Sequence, residues 1–245
     1  MYQDAYEELI ARTYDAVYAR VRDPSGDRTF YLELAREVGG PVLELGCGTG
    51  RTLIPIARAG IECMGLDTSP AMLRVLREKS PDVHVVNGDM RDFDLGRRFR
   101  LVTIPFRALS HLLDVDAQLA CFACVRRHLE KDGALAFDVF DPNLAIIAKA
   151  EIPESLSVTF DDGGRPMRPF ESTRFDRAHQ VLTVTFRFEG GPPELTGAAE
   201  IRLRWFYRYE LEHLLARAGF TDVRLFGAFD RRPWGTGDET VVIAR

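Results

Sequence analysis

From residue 41 to residue 140 the chain switches hydrophobic period repeatedly, and this alternation constrains its fold more than any other feature. Residues 41–46 are a short apolar run that reads as a buried strand, and "TLIPIARAG" (52–60) reads as a helix closed by Gly60. "IECMGLD" (61–67) is a strand, followed by a helix over "AMLRVLREK" with Ser69 as N-cap and Pro70 at its first position. "VHVVNGD" (83–89) and "LVTIPF" (101–106) are further strands. "DAQLACFACVRRHLEKDG" (116–133) has the spacing of an amphipathic helix with a glycine stop, and "ALAFDVF" (134–140) reads as a fifth strand. Strands separated by helices return by crossovers, which predicts a parallel sheet with helices on both faces.

The flanks differ. The first 37 residues read as helices broken at "DPSG" (23–26). Beyond Asn143 a connecting stretch, helical around 143–150, leads to "SLSVTF", a turn at "DDGG" (161–164), and then "FESTRFD", "VLTVTFRFE" and "AAEIRLRWF". Leu182, Val184, Phe186 and Phe188 alternate with Thr183, Thr185, Arg187 and Glu189, the period of a half-buried antiparallel strand. The α/β rhythm resumes with helix "YELEHLLARAG" (209–219), strand "DVRLFGAF" (222–229) and strand "ETVVIAR". The expected division is N-terminal helices and a cofactor-binding α/β core over 1–151, an inserted antiparallel sheet over 152–206 that covers the acceptor site, and a helix and strands completing the core over 207–245.

A chain of 245 residues with 46% hydrophobic residues can bury one large core and carry an insertion. Its net charge of −5 gives no general electrostatic hold on nucleic acid or on an anionic membrane. No apolar run approaches the roughly 20 residues of a membrane span. "MYQDAYEELI" carries acids where a secretory signal would have an apolar core, so cytoplasmic residence is expected. "CFAC" (121–124) has metal-ligand spacing but no accompanying Cys/His pair. It lies in a helical pattern, so buried helix cysteines are expected, with no metal site and no disulfide framework.

In an open parallel sheet, ligands bind beyond the carboxyl ends of the strands. Glu44 and the glycines of "VLELGCGTGR" end the first strand, Asp67 the second, Asp89 the third, Pro105 and Phe106 the fourth with His111 shortly beyond, and Phe140 and Asp141 the fifth. Polar or unusual residues therefore gather on one edge. Gly46, Gly48 and Gly50 permit a sharp turn and let a ligand touch the main chain. Their G-x-G-x-G spacing is not the G-x-G-x-x-G of dinucleotide binders, because Arg51 takes the place of the last glycine. Glu44 would oppose a pyrophosphate and welcome a cation, while Asp67 is placed to accept from ribose hydroxyls. A positively charged nucleoside without phosphate fits all three observations.

"ELGCGTG", "GLDTSPAML", "NGDMRDF" and "HLEKDGALAFDVFDPN", in this order, resemble the motifs of class I S-adenosylmethionine-dependent methyltransferases, in particular the small-molecule branch with its amino-sugar and glycine-type N-methyltransferases. The resemblance covers about residues 10–145 well and the last helix and two strands more loosely. It implies an α/β fold with a seven-stranded Rossmann-like sheet in the order 3-2-1-4-5-7-6, the last strand antiparallel. It also implies S-adenosylmethionine as cofactor. Gly46, Gly48 and Gly50 would line its methionine and ribose side, Asp67 would bind both ribose hydroxyls, and Met72 and Thr68 would border the adenine. Asp89 would accept from the adenine amino group, with Met90 donating its N–H, and Phe106 would complete the wall. Tyr14 matches a recurrent tyrosine on a helix that lids the cofactor. Arg107 and Ala108 stand where relatives show small or amide residues, which would reshape the acceptor pocket.

The implied reaction is methyl transfer by in-line displacement to N or O of a small molecule. Tyr14 and His111 are the candidate catalytic residues, although His111 could equally cap the following turn. The inserted sheet would form the acceptor pocket, a homodimer contact, or both. An NAD(P)-dependent oxidoreductase and a non-catalytic S-adenosylmethionine-binding protein are the alternatives. Arg168, Arg174, Arg202 and Arg204 would either gather an anionic acceptor or form solvated strand faces.

Overall fold

The computed structural model describes residues 2–21, 26–190 and 198–245. Two helices, α1 (Tyr2–Val21) and α2 (Asp27–Val38), precede β1 (Val42–Leu45), α3 (Leu53–Arg58), β2 (Cys63–Asp67), α4 (Pro70–Lys79), β3 (His84–Asn87) and β4 (Phe99–Ile104). A 3₁₀ turn at Ala108–His111 leads to α5 (Val115–His128) and β5 (Leu129–Phe140). Short α6 (Leu144–Ile147) precedes β6 (Glu151–Leu156), β7 (Phe160–Asp162), β8 (Arg165–Asp176), β9 (Val181–Glu189) and β10 (Ala198–Arg204). α7 (Arg208–Arg217), β11 (Val223–Phe226) and β12 (Glu239–Ala244) follow. Most of the expected break at 23–26 lies outside the described residues.

The main sheet runs β3-β2-β1-β4-β5-β12-β11, which is the expected seven-stranded order. β12 runs antiparallel to both of its neighbours, and the other pairs are parallel. Its pleat sorts side chains by parity. Leu43, Leu45, Val102, Ile104, Leu135 and Phe137 pack under α5 and α7, whereas Val42, Leu101, Ala134 and Ala136 meet α2 and α3. Glu44, Thr103 and Asp138 share the second parity, so three buried polar side chains stand on the α2 face near the strand ends.

α4 starts as the sequence predicts, with Ser69 Oγ accepting from the Met72 N–H at 3.3 Å and Pro70 at the first position. The expected helix over 116–133 needs correction: α5 stops at His128, and β5 begins at Leu129 rather than at residue 134. Leu129 is buried beside Phe99 in the ladder, so strand pairing overrides the helical pattern. Gly133 is not a helix stop. A Cβ there would lie 3.1 Å from the carbonyl oxygens of Phe99 and Glu130, so the residue answers a close backbone approach. The expected strand "SLSVTF" is also divided, with Leu156 ending β6 and Phe160 opening β7.

The second, five-stranded antiparallel sheet runs β10-β9-β8-β6, with β7 paired to β8. Tyr6 and Leu9 of α1 pack against its Phe160, Met167, Phe188 and Ala199. Helix α1 also carries ion pairs to both neighbours, Arg12 to Asp162 (2.6 Å) on the second sheet and Asp15 to Lys79 (2.5 Å) on α4. The helix therefore bridges the second sheet and the strand ends of the first.

Candidate active site

Beyond β1 the chain turns through Gly46, Gly48 and Gly50, all with positive φ. A Cβ on Gly46 would strike the Ala108 Cβ at 2.8 Å, so the loop lies against the turn that follows β4. The loop is fixed to β2 by Asp67, whose Oδ2 accepts from the Gly48 N–H and whose Oδ1 accepts from the Ser69 N–H, both at 2.8 Å. Burial raises the Asp67 carboxyl, and the two amide donors act against that shift. A carboxylate offers about four lone-pair sites. Two are used, which leaves Asp67 with acceptor capacity toward the adjoining space.

That space is a cavity of about 340 Å³ lined by Tyr14, Gly46, Gly48, Asp67, Thr68, Met72, Met90, Phe106 and His111, with Leu66, Ser69, Gly88, Pro105 and Ala108 completing it. It lies within the size range of nucleoside and drug-like ligand sites. At Gly48 the loop faces open space, since a Cβ there would meet nothing within 4 Å. Main-chain surface, a carboxylate with spare lone pairs and apolar walls from Met72 and Met90 fit an adenosine-type cofactor.

Three of the expected residues are not brought to this lining. Glu44 is buried behind the loop, where Oε1 accepts from Thr52 Oγ1 at 2.7 Å and Oε2 has no hydrogen-bond partner among the described residues. Gly50 opens onto a separate concavity of about 320 Å³ with Arg28, Arg51, Arg58 and Lys79. Asp89 turns outward to Arg91, accepting from its N–H at 2.8 Å and pairing with its guanidinium. Arg51, where a dinucleotide binder has glycine, forms a buried ion pair with Asp27 at the start of α2 and lies over the Phe106 ring with its Cζ 5.0 Å from the centroid.

Burial pushes the Glu44 carboxyl up to about 8, from an ordinary 4.5. Between those values the folded protein holds a proton that the unfolded chain has released, so stability falls as pH rises through the window. Glu44→Gln abolishes that titration. Calorimetry from about pH 5 to pH 8 should show the parent's melting temperature declining and the variant's staying flatter; parallel curves would contradict the assignment.

Beyond β4, Phe106 (φ 57°) and Arg107 (φ 60°) both adopt the left-handed conformation that side chains disfavour. The cause is Asp138. Its Oδ1 accepts from the Phe106 N–H at 2.8 Å and from the Tyr31 hydroxyl at 2.7 Å, and its Oδ2 accepts from the Arg107 N–H at 3.1 Å. Asp138 is fully buried. Sequence reading missed it. The signal was a lone aspartate inside the apolar run "ALAFDVF", an expensive residue to bury without partners.

The loop that Asp138 holds forms part of the wall between two chambers. The second, about 370 Å³, lies between α1 and the inner face of the second sheet and shares Tyr14, Met72, Phe106 and His111 with the first. Tyr14, Tyr18 and Phe106 form a ring cluster with centroids 4.5, 4.8 and 5.9 Å apart. Burial raises the Tyr14 and Tyr18 phenols, which therefore keep their protons. His111 borders both chambers and makes no hydrogen bond among the described residues. The ring is surrounded by protein yet reachable by solvent through the cavities. Desolvation lowers its pKa, with Asp67 acting against the shift, so the neutral imidazole is favoured. Of the candidate arginines, Arg168 pairs with Glu189 and Arg204 with Glu210, and neither lines the second chamber.

A doubly wound sheet with a nucleoside-sized cradle at its carboxyl edge, sharing a wall with a second chamber, is an arrangement able to hold a nucleoside cofactor beside a second reactant. Residues 42–133 match the family described as a methyltransferase domain. The chain is 28% identical over 232 residues to the cypemycin N-terminal methyltransferase of Streptomyces sp, covering 94% of this chain and 92% of that protein. Among solved structures it resembles the CcbJ methyltransferase from Streptomyces caelestis (TM-score 0.73, 29% identity, 91% and 89% of the two chains). It also resembles CalS10, an amino pentose methyltransferase from Micromonospora echinaspora solved with bound cofactor (TM-score 0.68, 27% identity, 94% and 95%). These likenesses support an S-adenosylmethionine-dependent methyltransferase. S-adenosylmethionine, the cofactor held by CalS10, is compatible with the cradle of main chain, Asp67 and apolar walls described above.

Proposed function

We propose that the cofactor lies in the glycine-loop cavity with its ribose on Asp67, and that the acceptor enters the chamber beneath α1. The observation that carries this reading is the wall common to the two chambers, made by Tyr14, Met72, Phe106 and His111. A wall shared in this way is where two reactants can meet end to end. S-adenosylmethionine, when bound, supplies a methyl group on a sulfonium, with a neutral thioether as leaving group.

The residues of this chain have the remaining tasks. α1 and the second sheet enclose the acceptor and hold water away. Phe106, fixed through Asp138, sets the shape of the opening between the chambers. Alignment of this kind can contribute about 7–11 kcal/mol to the barrier. His111, favoured in its neutral form, takes the proton that the acceptor nitrogen or oxygen gives up, and Tyr14 closes the cofactor side. A cytoplasmic setting belongs to this reading. Among the described residues no helix is long and apolar enough to cross a membrane.

His111→Gln tests the proton role. It should lower kcat by about 10²-fold while cofactor affinity, measured by calorimetry, stays close to the parent's. An unchanged kcat would remove His111 from the chemistry.

A further inference from the structure

The acceptor chamber has an unusual balance of groups. Its walls are largely apolar or aromatic, including Ile10, Val17, Phe160, Phe186, Ile201 and Leu203. Among the described residues, the only carboxylate in the lining is that of Glu171 on β8. Oε1 accepts a hydrogen bond from Ser157 Oγ, which fixes the orientation of the carboxylate, and Oε2 makes no hydrogen bond among the described residues. Arg107, the one guanidinium in the lining among the described residues, is engaged by Glu239 and stacks on Phe140 with its Cζ 5.4 Å from the ring centroid. Glu171 acts electrostatically on Tyr18, which belongs to the Tyr14–Tyr18–Phe106 ring cluster.

We propose that Glu171 is the specificity-determining residue of the acceptor chamber, and that the acceptor is an amine carried on an apolar or aromatic body. The inference rests on the placement of the acceptor given above. An oriented carboxylate and a group of aromatic faces together attract an ammonium. They repel a carboxylate or phosphate, and among the described residues of the lining the guanidinium that could receive one is already held by Glu239. The apolar walls select the rest of the molecule. A body covered in hydroxyl groups, as a sugar ring, would exchange water for walls that are mainly apolar or aromatic. The amine arrives protonated, rests on Glu171 and passes its proton to the His111 imidazole, which leaves a neutral nitrogen lone pair directed at the cofactor side of the shared wall.

The test uses 2-phenylethylamine, 2-phenylethanol and glucosamine as probes, with the full chain saturated with S-adenosylhomocysteine and binding followed by calorimetry. The parent should bind 2-phenylethylamine at least about tenfold more tightly than the other two probes. Glu171→Gln, which preserves volume and the Ser157 contact, should abolish the preference for the amine over 2-phenylethanol. Equal affinities in the parent, binding of none of the three, or a preference that survives in Glu171→Gln would each overturn the proposal. S-adenosylhomocysteine affinity is measured first in both proteins. Unchanged affinity shows that the variant is folded, while absence of nucleoside binding in the parent would count against the cofactor site and not against Glu171.

Discussion

Asp67→Ala should weaken S-adenosylmethionine binding by about a thousandfold, the largest loss expected from any single change in the cofactor cavity. The carboxylate is proposed to accept from two ribose hydroxyls, and hydrogen bonds to a charged group contribute about 1.5–3 kcal/mol each. Losing two therefore costs some 3–6 kcal/mol, and every 1.4 kcal/mol is tenfold. The substitution also frees the Gly48 and Ser69 N–H groups that now tie the glycine loop to α4. Asp67→Asn separates the two contributions, since it retains one oxygen of the pair. Its loss should be about tenfold to a hundredfold, and its melting temperature should fall less than that of Asp67→Ala, because one of the two amide donors keeps its acceptor. Isothermal titration of each variant checks both figures. Affinity within threefold of the parent for Asp67→Ala would move the ribose elsewhere.

Asp138→Ala should lower stability by about 3–5 kcal/mol, the range for stripping a partner from a buried charged network. Three donors lose their acceptor at once, and two of them are main-chain groups of residues held at positive φ. Left-handed geometry at a residue with a side chain costs about 1–2 kcal/mol, so without Asp138 the segment should relax. In a chain of this size each 1 kcal/mol moves the melting temperature by about 2–4 °C, which predicts a fall of some 10 °C. Activity at a temperature where the variant is still folded should fall further than cofactor affinity, because Phe106 stands between the chambers. A variant that melts with the parent would show that other contacts hold the loop.

Part of this was legible in one dimension. Strand and helix periods are local, so the parallel core, the Ser69 cap and the clustering of Gly46, Gly48, Asp67, Phe106 and His111 at strand ends could be read from the sequence. Their common edge follows from chain direction alone. What could not be read depends on contacts distant in sequence. Asp138 holds a loop 31 residues away and Tyr31 107 residues away. Glu171 reaches the acceptor chamber only because the β8 register and the packing of α1, more than 150 residues earlier, enclose that face of the second sheet. The end of α5 was misplaced because the helical period continues to the edge of a strand whose partner, Phe99, lies 30 residues back. Glu44 was read as facing a ligand, whereas the pleat turns it toward Thr52 behind the loop.

The position of β12 between β5 and β11 bears on how the protein is made. On the ribosome, β5 emerges about a hundred residues before the strand that will cover its free edge, and β11 has no seat in the sheet until residues 239–244 follow it. The nascent core thus presents an open row of N–H and C=O groups during the whole synthesis of the second sheet and α7. Closure of the central sheet waits for residues 239–244, and a chain stalled before them carries an edge able to pair with its neighbours.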